Sequence, residues 1–339
     1  MATFRGIVGH QRIKGLLAGA IERGSVPPTL LFAGPSGVGK RLVAEAAAAA
    51  VNCLSPIANV EGLPFDACGE CRACDRIARG VHVEVSRLEP DDMGAIKIDA
   101  VRDVLERTGF RPFEGRRRVV IIDHAEALLD ASQNALLKSL EEPPPSTIFV
   151  LTTSVPSALL PTVRSRCMRL RFGRLTEAEV AEVLTRDLDV PPKDAKAAAA
   201  LADGSVGQAL ALASADLALL RELALQLLRH AGAGRDVAAK LQAAATIISG
   251  GTKKERSRDE VGLILRMAAS MLRDVELLNA GGDAAALANG VIADDLSSLT
   301  RTYAGDRARD AFAAVDKAIV ALEKNAGPKV VAEWLATQI

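Results

Sequence analysis

The stretch Gly-Pro-Ser-Gly-Val-Gly-Lys-Arg, from Gly34 to Arg41, restricts the possible folds of this chain more than any other segment. It follows an apolar run at residues 30–33 and precedes an alanine-rich segment at residues 42–51. Strand, glycine-rich loop and helix, in that order, place backbone N–H groups and a helix N-terminus around phosphate oxygens. The sequence therefore predicts a phosphate loop. The residues predicted to contact phosphate are Gly34, Gly37, Gly39 and Lys40.

Arg41 replaces the residue that usually completes this loop. In phosphate-loop enzymes a Ser or Thr follows the lysine, and its hydroxyl binds the Mg²⁺ of the nucleotide. A guanidinium has no acceptor and cannot bind a cation. The motif thus favours a phosphate-loop ancestry over a purely structural turn. It leaves open whether the loop holds ATP with Mg²⁺, ADP or no nucleotide.

The chain beyond the loop alternates between apolar runs and helical segments. The predicted strands cover residues 83–88, 118–122 and 147–153, and the predicted helices cover residues 11–23, 99–108 and 131–142. We expect Asp99 to cap the helix that begins there. Continuous apolar runs are typical of strands that are covered on both faces of a parallel sheet. The alternation predicts a doubly wound α/β domain with a parallel sheet.

Asp123 follows the strand at residues 118–122 and is the candidate anchor for Mg²⁺ in a phosphate-loop ATPase. A carboxylate base that polarises water would normally come next, but His124 occupies that position. Glu126 lies two residues further on, and we expect it to point elsewhere. A capping role at the following helix is the alternative interpretation of Asp123.

Four cysteines share one insertion, at residues 53–80, which is rich in Gly and Pro and is expected to be irregular. A Cys-x-x-Cys-x-x-Cys run with one further cysteine upstream can close a tetrahedral Zn²⁺ site. Four sulfur ligands leave no open position, so such a zinc ion would be structural. An iron–sulfur cluster and four unligated thiols are the alternatives. The predicted ligands are Cys53, Cys68, Cys71 and Cys74.

The charge balance argues against nonspecific DNA binding by the chain alone. Lys+Arg and Asp+Glu both number 42, so the formal net charge is zero. A role on DNA would have to be local or shared with partners. We expect Arg116, Arg117 and Arg118 to form a solvated strand edge, with a contact to DNA phosphate as the alternative. The chain has no apolar run of membrane-spanning length, which favours a cytoplasmic protein.

Two further motifs restrict the families to which this chain can be similar. One is Leu-Leu-Lys-Ser-Leu-Glu-Glu-Pro-Pro at residues 136–144, and the other is Ser-Arg-Cys at residues 165–167. With the phosphate loop and the cysteine-bearing insertion, they resemble the AAA+ clamp-loader family of bacterial DNA polymerase III. Within that family they are most similar to the delta-prime members. The resemblance is close up to residue 214 and extends to the rest only as an all-helical domain.

The resemblance implies three domains and a set of partners. The domains are an AAA+ domain at residues 1–173 with the zinc insertion, a helical lid at 174–214 and an all-helical collar at 215–339. The implied assembly is a hetero-pentamer with gamma/tau motor subunits and a delta subunit, joined through the collar. It would load the sliding clamp onto primer-template DNA.

The resemblance also assigns expected roles to single residues. Arg166, in the Ser-Arg-Cys motif, would be an arginine finger that reaches the ATP of a neighbouring motor subunit. A surface arginine paired with a local carboxylate is the alternative. Thr153 lies where the family has its first sensor, and Gly207 stands where its motor subunits carry a second sensor arginine.

Three functions are compatible with these features to different degrees. The departures at Arg41, His124 and Gly207 favour a non-motor subunit of the DNA polymerase III holoenzyme, a nucleotidyltransferase, without ATPase activity of its own. The alternative is an active AAA+ motor of the gamma/tau type, although loss of a positioned base alone costs about 10²–10⁴ in rate. An independent zinc-ribbon protein that binds nucleic acid is disfavoured by the zero net charge and by the 3% of aromatic residues.

Overall fold

The structure, a computed structural model, describes residues 3–232, 237–250, 255–283, 286–323 and 326–339. The chain forms two compact units. The first contains the N-terminal residues to Val183 together with Asp203–Gly207, and the second contains Leu184–Ala202 and Gln208–Ile339. The division into AAA+, lid and collar domains stays a prediction.

A five-stranded sheet organises the first unit. Its strands are β1 (Thr29–Ala33), β4 (Val85–Leu88), β5 (Arg118–Ile122), β6 (Thr147–Thr153) and β7 (Met168–Arg171). Their order in the sheet is β4-β5-β6-β1-β7, and every neighbouring pair is parallel. Every residue of β1, β5 and β6 is buried, because helices cover both faces of the sheet. The predicted parallel α/β sheet is therefore confirmed.

Helices pack against both faces of this sheet. The helices of the first unit are α1 (Gln11–Glu22), α2 (Lys40–Asn52), α3 (Arg72–Ala78), α4 (Ile98–Thr108), α5 (Asp130–Glu141), α6 (Pro161–Arg164) and α7 (Glu177–Asp187), which continues into the second unit. The alanines of α2 belong to the core on one face, and Leu136 and Leu140 of α5 belong to the core on the other. The small side chains of α2 let this helix lie close to the sheet and hold the loop that precedes it.

The insertion at residues 53–80 is more regular than the sequence indicates. It contains an antiparallel hairpin of β2 (Ile57–Val60) and β3 (Leu63–Asp66), followed by α3. The prediction of an irregular insertion is wrong, because the hairpin turns through Glu61 and Gly62, both of which have positive φ. The exposed β2 carries no apolar alternation that would have indicated a strand.

Two other local predictions are corrected by the structure. Lys97 rather than Asp99 is the N-cap residue of α4, and Asp99 lies in the first turn of that helix. Arg118 is only 7% exposed, because it opens β5 beside Thr147 of β6. The expectation of a solvated edge is therefore wrong for Arg118, while Arg116 is exposed as expected.

The second unit is helical in its described residues, apart from an isolated bridge between Ser249 and Glu255. Its helices are α8 (Pro192–Leu201), α9 (Val206–Ala213), α10 (Leu217–Gly232), α11 (Val237–Ile248), α12 (Arg258–Asn279), α13 (Ala293–Thr302), α14 (Arg307–Glu323) and α15 (Pro328–Gln338). The buried Tyr303 hydroxyl donates to the carbonyl of Leu228 at 2.8 Å and ties α13 to α10. Among the described helices we find none of the length and apolarity that crossing a membrane requires.

Candidate functional site

The predicted phosphate loop connects β1 to α2 and has the backbone conformation that its glycines permit. Gly37 and Gly39 have φ values of 73° and 96°, a region that side chains with a Cβ rarely adopt. The Nζ of Lys40 donates to the carbonyl oxygens of Gly34 and Pro35, at 2.8 and 2.6 Å. The lysine thus folds over its own loop and places a positive charge where a phosphate would lie.

A second segment of the first unit closes over this loop. A Cβ on Gly37 would lie 2.2 Å from Ser205 Oγ, and the N–H of Gly207 donates to the carbonyl of Gly37 at 3.3 Å. The ring of His10 places Nε2 2.8 Å from the carbonyl oxygen of Val38. Gly207 therefore contacts the loop through its backbone and offers no charged side chain to a nucleotide.

Arg41 lies among carboxylates. Its guanidinium is 3.3 Å from Glu89 Oε1, 3.5 Å from Glu45 Oε1 and 3.8 Å from Asp123 Oδ2. Arg87 also contacts Glu45, at 3.2 Å. The positive charge of Arg41 thus lies beside the carboxylate that the sequence assigned to Mg²⁺.

Asp123 is buried at the end of β5 and is bound by the neighbouring strand. The hydroxyl of Thr152 donates to Asp123 Oδ1 at 2.5 Å. The next residue, Thr153, is also fully buried, and its hydroxyl accepts a hydrogen bond from the N–H of Val155 at 3.1 Å. The structure therefore brings Thr152, not Thr153, into contact with Asp123.

His124 and Glu126 form a pair next to Asp123. His124 has a positive φ of 50°, and its Nδ1 lies 3.5 Å from Glu126 Oε1. This backbone turn brings the two side chains together, and Glu126 also accepts a hydrogen bond from Ser154 Oγ at 2.7 Å. The hydrogen bond to Glu126 raises the pKa of His124. Burial opposes ionisation of Glu126, but hydrogen bonds from His124 and Ser154 outweigh it and lower the pKa of Glu126 to about 2.

This pair makes a pH-dependent contribution to stability. The raised pKa of His124 means that its contribution is fully present below pH 6.5 and is lost as the pH rises through the pKa of the folded state. The lowered pKa of Glu126 means that its contribution is present above pH 4.5 and is lost on acidification. The pair therefore stabilises the fold most between these two values.

We expect His124→Gln to lower the free energy of unfolding more at pH 5.5 than at pH 8.5. The difference should stay below about 1 kcal/mol, because the imidazole is half exposed and solvent screens the pair. Urea unfolding at both pH values measures it. Equal losses at the two pH values would show that the pair contributes nothing, and Ser154→Ala is a control for a neutral hydrogen bond to Glu126.

Arg166 is anchored at the end of α6 in the first unit. Its Nη2 lies 3.2 Å from Glu141 Oε1, and its Nη1 donates to the carbonyl of Thr162 at 3.0 Å. The side chain is 31% exposed. The guanidinium of Arg166 thus contacts Thr162 and Glu141 rather than the phosphate loop. Glu141 belongs to the Leu-Leu-Lys-Ser-Leu-Glu-Glu-Pro-Pro motif.

The four predicted cysteine ligands converge in space. Their sulfur atoms all lie within 4.8 Å of one another, with Cys53 3.5 Å from Cys68 and 3.9 Å from Cys71, and Cys68 4.0 Å from Cys74. A tetrahedral Zn²⁺ with bonds of about 2.3 Å places its sulfur ligands about 3.8 Å apart. The cluster therefore has the donor atoms and the spacing that a zinc ion requires.

Backbone N–H groups point at these sulfurs. Cys68 N donates to Cys53 Sγ at 3.3 Å, and the N–H groups of Glu70 and Cys71 donate to Cys68 Sγ at 3.4 and 3.3 Å. Burial opposes ionisation of Cys71, but hydrogen bonds outweigh it and lower its pKa to about 6, whereas burial raises the pKa of Cys53 and of Cys74. Such bonds stabilise thiolates, which are the form that binds a metal. Arg5 adds support by donating to the carbonyl of Cys68 at 2.8 Å.

Sequence reasoning missed several residues of the site. Thr152 was overlooked, although strand alternation places it on the same side as Asp123 once the pairing of β5 with β6 is known. Glu126 was named, but its pairing with His124 was not predicted. Glu141 was part of a recognised motif, but its contact with Arg166 depends on the tertiary fold. Phe110 and Phe113 are 72% and 87% exposed after α4, and no sequence pattern marked them as surface residues.

Comparisons with known structures find similar chains of low identity. A gamma-subunit-related protein of DNA polymerase III from Thermotoga maritima matches 91% of this chain and 98% of its own, with 16% identity and a TM-score of 0.36. The RuvB Holliday junction branch migration motor of the same organism matches 87% of each chain, with 21% identity and a TM-score of 0.39.

Sequence comparisons give closer matches. The family model described as DNA polymerase III, delta subunit, matches residues 9–176. DNA polymerase III subunit delta' of Pseudomonas aeruginosa is 40% identical over 49% of each chain. Subunit tau/gamma of Haemophilus influenzae is 33% identical over 64% of this chain and 31% of its own, and subunit tau of Bacillus subtilis is 34% identical over 62% and 37%.

The match thus spans half or less of the length of these curated relatives. Relatives of both the delta' and the tau/gamma kind match this chain, so similarity does not separate the two. The matched region contains the phosphate loop, the cysteine cluster, Asp123 and Arg166. Through this region, the chain belongs to the AAA+ clamp-loader family of DNA polymerase III.

Proposed function

We propose that this chain is a non-motor subunit of the bacterial replicative clamp loader. It would act in a hetero-pentamer with gamma/tau motor subunits and a delta subunit, in the cytoplasm, to load the sliding clamp onto primer-template DNA. The helices within residues 215–339 would supply the collar that joins the subunits. Membership of the clamp-loader family supports the assembly, and the altered phosphate loop supports the non-motor role.

The observation that carries the non-motor role is the position of Arg41. Its guanidinium lies 3.8 Å from Asp123 and contacts Glu45 and Glu89, so the cation beside Asp123 belongs to the protein itself. A Mg²⁺ ion would lack the loop hydroxyl and would meet a neighbouring positive charge. ATP with Mg²⁺ is therefore poorly accommodated.

The water-activating machinery is altered as well. His124 stands where a carboxylate base is expected, and the hydrogen bond to Glu126 raises its pKa. A smaller fraction of this imidazole than of an unperturbed histidine is therefore neutral and able to accept a proton from water. Gly207 presents only its backbone to the loop. The gamma/tau motor is the second candidate because tau-type relatives match the chain. Such a motor would have to hydrolyse ATP without the carboxylate base at position 124 and without a sensor charge at position 207.

Two positive roles complete the proposal. Arg166 would act in trans as the arginine finger of a neighbouring motor site, because its partly exposed guanidinium contacts Glu141 and Thr162 rather than its own phosphate loop.

Zn²⁺ would be held by the four clustered cysteines as a structural ion. Four thiolates fill its coordination sphere, so it would stabilise the insertion and take no part in hydrolysis.

We expect the isolated chain to hydrolyse no ATP above background at saturating ATP and Mg²⁺. A steady-state phosphate-release assay on the purified chain tests this. A rate comparable to that of an assembled clamp loader would contradict the non-motor role.

The double replacement Arg41→Thr with His124→Glu should restore nucleotide binding but not full turnover, since Gly207 still offers no sensor charge. Equilibrium binding of a fluorescent ATP analogue with Mg²⁺ measures the gain. Adding Lys40→Ala to the double variant is the control, and it should abolish the restored binding.

A further inference from the structure

Glu141 belongs to the Leu-Leu-Lys-Ser-Leu-Glu-Glu-Pro-Pro motif, and the function proposed above does not use it. Its carboxylate reaches Arg166 Nη2 at 3.2 Å, across 25 residues of sequence. The other outer nitrogen of the guanidinium, Nη1, donates to the carbonyl of Thr162. Both outer nitrogens of the candidate finger are therefore bound within its own subunit.

The backbones that carry this pair are firmly held. Arg166 lies between the buried residues Val163 and Cys167, and its carbonyl accepts a hydrogen bond from Thr29 Oγ1 at 2.6 Å. Glu141 follows Leu140, which is 3% exposed in the core. The side chains themselves lie closer to solvent, with Glu141 60% and Arg166 31% exposed. Movement of the finger thus requires a change of side-chain contacts and not of the fold.

A phosphate and a carboxylate compete for the same guanidinium nitrogens, because both offer two oxygens to its fork. We infer that Glu141 is a positioning residue that holds Arg166 in a resting position until the γ-phosphate of a neighbouring ATP replaces the carboxylate. This inference rests on the proposed role of Arg166 as a finger in trans. An exposed ion pair is weak, which suits a contact that breaks in each cycle.

The test is Glu141→Gln in this chain within a reconstituted clamp loader that has wild-type motor subunits. We expect the basal ATPase rate, without clamp or DNA, to rise about two- to five-fold at the one motor site that faces this chain, the range that corresponds to the loss of one exposed ion pair. The total basal rate of the loader should therefore rise by a smaller factor. The rate with clamp and primed DNA should change less, because the γ-phosphate of the neighbouring ATP then already replaces the Glu141 carboxylate at Arg166. Structural damage would lower both rates, so a selective rise in the basal rate identifies the release of a restraint.

Glu142→Gln is the matched control, because it removes a charge from the neighbouring exposed residue and should leave both rates unchanged. Glu141→Gln combined with Arg166→Ala should show no rise over Arg166→Ala alone. A basal rate that does not rise, or that rises equally without Arg166, would overturn the role of Glu141. If Arg166→Ala leaves the motor rates at the wild-type level, Arg166 is not a finger, and both the proposed finger role and the role of Glu141 are contradicted. Gel filtration verifies assembly in every case.

Discussion

Replacing Cys71 with serine is expected to abolish the proposed binding of zinc and to destabilise the first unit strongly. Cys71 is one of four sulfurs that lie within 4.8 Å of one another, and serine offers a hard oxygen in place of a thiolate. A structural zinc ion binds with about 10 kcal/mol or more of free energy that is also folding free energy. Loss of a metal is among the few single changes that cost more than about 4 kcal/mol.

The loss should extend beyond the insertion, because Leu63 and Ile77 belong to the same buried core as the sheet. For a unit of this size, about 4 kcal/mol corresponds to a fall in Tm of about 10 °C. Elemental analysis and calorimetry measure the two effects. The N–H groups of Cys68 and Glu70, which donate to sulfur, should also exchange faster with deuterium.

Cys167→Ala is the matched control for this prediction. Cys167 is a buried thiol in the core on the opposite face of the sheet, and burial raises its pKa to about 11. Its replacement should leave one zinc ion bound per chain. Metal-replete wild-type protein without zinc, or Cys71→Ser protein with an unchanged zinc content and Tm, would contradict the assignment.

Replacing Arg166 with alanine is expected to reduce ATP hydrolysis by the assembled loader while leaving assembly intact. An arginine finger stabilises the charge that develops on the transferred phosphoryl group and is typically worth 10³–10⁵ in rate at its site. Only the motor site that faces this subunit would lose its finger, so the total clamp- and DNA-stimulated rate should fall in part. Clamp loading should slow with it.

Two variants separate the finger from a general effect of charge. Arg166→Lys keeps the charge but loses the planar fork, so it should restore little of the rate. Arg164→Ala removes an exposed arginine two residues away and should have no effect on hydrolysis. Normal hydrolysis with Arg166→Ala in an intact complex would contradict the finger role.

The interior strands and the clustered cysteines were predictable from sequence, and their physical basis is local. The apolar runs of β5 and β6 are long enough to require burial on both faces. The cysteines converge because three of them lie at Cys-x-x-Cys spacing around the start of α3. In both cases the pattern that carries the information lies within a short stretch of chain.

The edge strands and the pairing of side chains were not predictable in this way. In β7, Met168, Arg169 and Arg171 are exposed, so the strand lacks the apolar pattern that marks an interior strand. The contacts of Thr152 with Asp123 and of Glu141 with Arg166 join residues that are distant in sequence. They depend on strand order and helix packing, which composition and periodicity do not specify.

The number of ATP molecules hydrolysed in the first turnover shows directly whether this chain is a non-motor subunit that supplies a finger to its neighbour. A chemical-quench burst experiment on the reconstituted loader, with clamp and primed DNA, counts the motor sites that hydrolyse ATP in this turnover. We expect Arg166→Ala to lower the burst by one ATP per loader, and Lys40→Ala in this chain to leave the burst unchanged because its own loop hydrolyses nothing. An unchanged burst with Arg166→Ala, or the loss of one ATP with Lys40→Ala, would contradict a non-motor subunit that serves its neighbour.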